Sequence, residues 1–432
     1  MASTTETRTR GSSRANQAAG EAGQGERLRG VATTWLEHPM ASMVLVLVPT
    51  VLLLALGTAM VLSASSVFAH FQFGDSYYFV KRQLVFLALG LVGGAVLGRI
   101  APERLRPLGW LIFAASGLLL AVTFIPGVGY GVKGNKNWIN FGAGSTMLRL
   151  QPSELAKLAI ILWGATVMAQ KRRLLDRPKH LLVPFVPGSL LLIALVLLQH
   201  DLGTALVLGG IVVAVLWCVG ASWRVMGTIA AGVTAGAVVL VATNAGRLTR
   251  ILAFLDPASD PTGTNHQANQ ALYGMATGGW WGVGIGASRQ KWGSLVEAHT
   301  DYVLAIIGEE LGLVGTLAVL TLFLVLGYAG FRIALRSSTF YVRLVASGIT
   351  CWLMLQTLIN VMVVLRLLPV LGIPLPLVSY GGSGLLANLM AVGILVACAR
   401  DEPDARAWLR RQRKSKQPRR RLSAVLPGRR GS

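Results

Sequence analysis

The chain has 432 residues, of which 53% are hydrophobic and only 13% charged, with a formal net charge of +22. A mean hydropathy of +0.59, with several apolar runs of about 18 residues or more, excludes an ordinary water-soluble globule and identifies an all-α polytopic integral membrane protein. No alternating strands of about ten residues appear, so a β-barrel is excluded. The three cysteines, Cys218, Cys351 and Cys398, are far apart and suggest neither a disulfide framework nor a zinc site.

A basic N-terminal tail (1–40), read as disordered, precedes the membrane domain (41–399). Ten spans are predicted within it: 41–63, 83–99, 107–125, 152–169, 182–199, 202–220, 224–243, 303–330, 342–365 and 377–399. The fifth and sixth are separated only by Gln199, His200 and Asp201; they are split because their joint length is about twice what one crossing needs. The fourth opens on Pro152, a favoured first-turn residue, and carries Glu154 and Lys157 three apart on one face. That pair neutralises itself on entering the bilayer, couples by charge to a carboxylate elsewhere, or does both.

Two segments on the opposite side from the N-terminus are long, 126–151 and 244–302, the latter lying between spans seven and eight. The second holds Trp280, Trp281 and Trp292 and a glycine-rich run, YGMATGGWWGVGIGAS, which suits a re-entrant turn as well as a substrate. At its end comes EAHTDYVLAIIGEELG (297–312), with Glu297, Asp301, Glu309 and Glu310, in a chain with only 18 acidic residues. Asp301 falls at the outer membrane interface, where an ionisable residue marks a functional site by default. Glu309 and Glu310 lie about two turns deeper, read equally as packing residues with polar partners or as functional groups. For Glu297 a solvated loop residue or cap is the preferred reading.

Most Lys and Arg residues fall in the tails and in the loops on the N-terminal side, so the positive-inside rule puts both termini in the cytoplasm. The C-terminal tail (400–432) includes RRQRKSKQPRRR and reads as disordered, attracted to anionic membrane lipids or to a cytoplasmic protein. No aromatic or folded basic surface accompanies it, so no nucleic acid partner is expected.

The motifs LQPSELAKLA (150–159), HDLGTALVL (200–208), FLDPASDPTG (254–263), EAHTDYVLAIIGEELGLVG (297–315) and PLPLVSYGGSG (374–384) occur in that order. Together they resemble the SEDS family, and the pattern around Asp301 looks more like its FtsW branch than its RodA branch. The resemblance covers about residues 40–400. It implies a peptidoglycan glycosyltransferase that polymerises lipid II at the outer face of the cytoplasmic membrane, at the division septum in the FtsW branch. It also implies a class B penicillin-binding protein transpeptidase and other divisome proteins as partners. By the same resemblance Asp301 is the catalytic base and Glu154 with Lys157 the coupled pair near the cavity. Three positions depart from the family pattern: Asn137 where an Arg is common, Val296 where a Pro is common, and His266 where a Tyr is common.

Joining a sugar hydroxyl to an anomeric carbon that carries an α-linked lipid diphosphate, with a β product, needs one base and inversion. The departing diphosphate needs positive charge. Lys291, Arg247 and Arg250 are the leading candidates, with Lys133 and Lys136 behind them. Gln267, Ser379 and Gly381 complete the expected substrate-binding set through the family motifs. No dedicated metal motif is visible, although two carboxylates with water could hold Mg or Mn. The rival readings are a lipid II flippase and a divisome scaffold without catalysis.

Overall fold

The computed structural model describes residues 36–132, 135–141, 148–243, 245–255, 265–292, 295 and 298–416. In chain order the first helices are α1 (Ala41–Phe73), α2 (Tyr78–Leu97) and α3 (Gly109–Val122). At 33 residues α1 is about 50 Å long and exceeds a hydrocarbon core of about 30 Å, so it extends well past the expected end at residue 63.

The segment 126–151 adds a small sheet to the expected all-α fold. It forms three strands, β1 (Gly129–Val132), β2 (Asn135–Phe141) and β3 (Leu148–Leu150), paired antiparallel in that order. Tyr130 faces Trp138 across the first pair and Asn140 faces Arg149 across the second. The sheet leads directly into α4 (Pro152–Gln170), where Pro152 occupies the first turn as expected.

A short helix α5 (Pro178–Leu182) and α6 (Phe185–Leu198) make the fifth crossing, followed by α7 (Leu202–Val219) and α8 (Trp223–Ala242). The segment 244–302 contains α9 (Ala245–Leu255) and α10 (His266–Gly278).

The expected span 303–330 is two helices, α11 (Val303–Glu310) and α12 (Gly312–Arg336). Gly312 sits at φ 68°, a left-handed conformation that interrupts the helix and that glycine tolerates best. The interruption leaves carbonyls at the end of α11 without helical partners. The glycine-rich loop supplies them: Val283 N donates to Glu309 O and Gly284 N to Glu310 O, both at 3.0 Å. Leu313 N in turn donates to Gly279 O at 2.8 Å.

α13 (Phe340–Val364), α14 (Gly382–Arg400) and a basic helix α15 (Pro403–Lys416) complete the chain. Span ten begins at Gly382, about a turn later than the expected 377, because Pro369, Pro374 and Pro376 keep 365–381 irregular.

Among the described residues eight helices are long and apolar enough to cross a membrane. Two further helices, α3 and α8, are also apolar, and the whole is a multi-pass membrane protein. α4 is buried along almost its whole length and packs against α3, α7, α13 and α14. α2 and α6, by contrast, turn much apolar surface outward, as lipid-facing helices must.

Candidate functional site

Asp301 lies in the turn that enters α11, partly exposed, where its backbone is fixed by a buried amide. Asn360 of α13 donates through Nδ2 to the carbonyl of Asp301 and to the carbonyl of Ile373, both at 2.8 Å. The irregular 371–374 stretch therefore runs beside Asp301. A Cβ added to Gly372 would stand 3.6 Å from Asp301 Oδ2. Two residues earlier, His299 packs in a ring cluster with Phe79 at 4.4 Å and Tyr380 at 5.5 Å. Its carbonyl accepts from Tyr380 N at 2.8 Å. Burial pushes the Tyr380 hydroxyl up to about 12, so it stays protonated throughout the neutral range.

Glu154 and Lys157 form the pair their spacing predicts, 2.8 Å apart and almost fully buried. Lys157 Nζ also donates to Gln356 Oε1 at 3.1 Å, and Trp352 Nε1 donates to that same oxygen at 2.9 Å. Gln356 Nε2 donates to Pro374 O at 3.0 Å. Gln356 and Asn360 are four apart and share a face of α13. The charged pair and Asp301 are thus tied to one stretch of backbone, 371–374, by two amides one turn apart. Glu154 Oε2 looks toward the first turn of α14, 3.4 Å from where a Cβ on Gly384 would lie. A carboxylate there is favoured by the helix N-terminus.

Glu309 and Glu310 are both buried, and their partners lie in the glycine-rich loop and α1. Glu309 accepts from Ser288 Oγ at 2.5 Å and from Arg289 N at 2.8 Å. Glu310 accepts from Ser63 Oγ at 2.6 Å and pairs with Lys291 Nζ at 3.5 Å. Lys291 is itself buried and also donates to Gly286 O. It is engaged inside the protein, clasping the loop to the end of α11.

Asp201 separates two spans and lies in the HDLGTALVL motif, but the sequence alone assigned it no site role. Asp201 caps α7, accepting from Thr204 N at 3.0 Å and Thr204 Oγ1 at 2.9 Å. Its Oδ2 also accepts from Asn137 Nδ2 and Gln151 Nε2, each at 3.0 Å. One carboxylate therefore joins β2, the start of α4 and the start of α7. The Asn137 that departs from the family pattern is absorbed in this junction. Asp-x-x-Thr ahead of an apolar run was the available signal.

The other expected substrate residues are dispersed. Lys136 is exposed on β2, and Gln267 is half-buried in the first turn of α10. Arg247 and Arg250 lie three apart on α9, and their side chains fall outside the description. Ser379 is buried in a turn in which its Oγ accepts from Leu375 N at 2.9 Å, and Gly381 immediately precedes α14. Lys133 and Glu297 lie outside the described residues. Among the described residues no group of three His, Cys, Asp or Glu could hold a metal ion.

A bundle of apolar helices, with a carboxylate set in a turn at a helix entrance beside an irregular proline-containing stretch, defines a multi-pass membrane protein with a polar site at an end of the bundle. The FtsW/RodA/SpoVE cell cycle protein family matches residues 43–403, and the chain belongs to it. The probable peptidoglycan glycosyltransferase FtsW of Mycobacterium tuberculosis is 39% identical over 382 residues, covering 88% of this chain and 72% of that one. Among solved structures, a chain from a peptidoglycan synthase complex that coordinates polymerization and crosslinking is similar at TM-score 0.65 and 32% identity. It covers 82% of this chain and 97% of that one. The rod shape determining protein RodA of Thermus thermophilus is similar at TM-score 0.60 and 30% identity, covering 86% and 99%.

Proposed function

We propose that this protein is a peptidoglycan glycosyltransferase that polymerises lipid II into β-1,4 glycan strands, with Asp301 as general base. The observation that carries this reading is the placement of Asp301 in a family member whose relatives bear that activity in their names. Asp301 is partly exposed at a helix entrance, and Asn360 holds its backbone. The acceptor sugar hydroxyl gives its proton to Asp301 as its oxygen attacks the anomeric carbon. The bond to the lipid diphosphate breaks in the same displacement, which inverts an α linkage to β. Proton, new bond and leaving group are accounted for without a covalent intermediate.

Lys133, Lys136, Arg247, Arg250 and Lys291 are the candidate cations for the departing diphosphate. A magnesium or manganese ion would enter as part of the substrate's own diphosphate. The buried ionisable residues that a flippase would use are engaged with one another: Glu154 with Lys157, and Glu310 with Lys291. That engagement favours the polymerase over the transporter.

The charge distribution supports cytoplasmic termini, and similarity to FtsW proteins supports a septal location. Similarity to a chain of a synthase complex supports a class B penicillin-binding protein transpeptidase as the partner, with other divisome proteins around it. The test is glycan-strand formation from purified lipid II with the cognate transpeptidase present. Strands that appear with this protein and vanish with Asp301→Ala support the reading. No strands from the intact pair would move the flippase or scaffold ahead.

A further inference from the structure

At the end of the bundle opposite Asp301, a cavity of about 510 Å³ opens between the C-terminal ends of α2 and α14, the turn Pro102–Leu105 that follows α2, and the basic helix α15. Its lining includes five arginines, Arg99, Arg104, Arg400, Arg406 and Arg410, against one acid, Asp401. Close helix packing creates this concentration. Gly90 and Gly94 of α2 and its C-cap Gly98 fall at four-residue spacing, the small-residue pattern that lets membrane helices touch. A Cβ on Gly94 would lie 2.6 Å from Leu389 O, so the two backbones are in contact. Both helices then end at the same level, and Arg99 and Arg400 emerge side by side.

Two of the five arginines are engaged. Arg400 Nη1 donates to Gly98 O at 2.7 Å, which fastens α14 to the end of α2. Arg406 Nε donates to Asp401 Oδ1 at 2.7 Å, which fastens α15 to the end of α14. Arg99, Arg104 and Arg410 are exposed and have no side-chain partner among the described residues. Three guanidinium groups held around one concavity by two structural arginines have repulsion to relieve, and an anion relieves it. Arginine's fork of donors suits a phosphate in particular.

The surroundings say which phosphate. Ile100, Ala101 and Leu409 also line the cavity. Above it Leu89, Val92 and Val96 of α2 are exposed in an apolar stripe along a membrane-spanning helix. On α15, Trp408 packs edge-on to His38 with ring centres 5.8 Å apart, an aromatic at the level where such residues anchor to the membrane interface. We propose that this cavity binds the phosphate of an anionic phospholipid headgroup, with the acyl chains lying along the exposed face of α2. The site is on the face that the charge distribution gives to the cytoplasm, and it is independent of the glycosyltransferase reading. By holding α15 to α2 and α14, a bound lipid would set the direction in which the basic C-terminal tail leaves the bundle.

The test uses the full-length protein in mixed micelles of phosphatidylglycerol and phosphatidylcholine, with retained lipid counted by native mass spectrometry. Arg99→Ala/Arg104→Ala/Arg410→Ala is compared with wild type and with Arg173→Ala/Arg177→Ala/Lys179→Ala, which removes three charges elsewhere on the same face. The expected result is selective retention of phosphatidylglycerol by wild type and by the control variant. The cavity variant should show a loss on the order of a hundredfold in affinity. Each single arginine variant should fall between, which keeps the test readable if the triple variant folds poorly. Equal retention by wild type and cavity variant overturns the proposal, as does an equal loss in the control variant. Inorganic phosphate that binds lipid-free protein with the same arginine dependence, and displaces the lipid at millimolar concentration, would reassign the site to a soluble phosphate and refute the lipid.

Discussion

Replacing Asn360 by alanine removes the one side chain that bridges the carbonyl of Asp301 and the carbonyl of Ile373. Asn360 is almost fully buried, so water cannot readily take its place. Leaving a buried acceptor such as the Ile373 carbonyl unpaired costs about 1–3 kcal/mol, and the part-buried Asp301 carbonyl adds a smaller amount. The catalytic consequence is separate. With the bridge gone, the 371–374 stretch and the turn carrying Asp301 can move apart, and a displacement of about 1 Å in a reacting group costs on the order of a hundredfold in rate. Gln356→Ala is the comparison: it sits one turn away on the same face and releases Pro374 and Lys157, but it makes none of these bonds to Asp301. The assay is the initial rate of strand formation from lipid II at a temperature where every variant is folded, beside thermal unfolding. Asn360→Ala should lose rate far beyond Gln356→Ala at comparable folded yield. If Asn360→Ala is less stable but polymerises at the wild-type rate, the idea that this amide positions the base is refuted.

Three further outcomes are expected. Lys157→Met should cost about 3–5 kcal/mol because it strands the buried Glu154 carboxylate, and adding Glu154→Gln should restore much of that loss in a thermal-unfolding double-mutant cycle. Lys291→Ala and Glu310→Gln should impair the protein to similar degrees and non-additively, with faster proteolysis of the 279–292 loop; a raised KM for lipid II with unchanged stability would instead place Lys291 on the substrate. Gly312→Ala should destabilise by more than about 1 kcal/mol, read as a lower unfolding temperature, because alanine is strained at positive φ and its Cβ would press on the backbone of Trp280.

The order of the crossings was legible because a run of about twenty apolar residues admits few alternatives to a membrane helix. The Glu154–Lys157 pair was legible because three-residue spacing on a helix fixes a shared face whatever the rest of the fold does. The interruption at Gly312 was hidden by the apolar residues on both sides, although two buried acids followed by Leu-Gly marked the place. The strands of 129–150 were hidden for the opposite reason: their Gly and Asn residues read as turns, and their pairing depends on register. Roles that depend on a distant partner were the least legible. Lys291 reads as a loop cation until Glu310 and Ser63 are brought beside it. Asp201 reads as a linker residue until Asn137 and Gln151 converge on it from 64 and 50 residues away. The position of Asp301 at a helix entrance was visible in the sequence, but the amide that holds it lies 59 residues downstream.

The most direct measurement of the central claim is the rate of glycan-strand formation by Asp301→Asn and Asp301→Ala, each with the partner transpeptidase and at equal folded yield. Asparagine keeps the shape of the side chain and removes its basicity. The account predicts that both variants unfold at the wild-type temperature while their rates fall by about 10²–10⁴, the usual contribution of a positioned general base. Strand formation by Asp301→Asn within about threefold of wild type, well below that contribution, would contradict it, and Asp301 would then be a structural residue of the turn.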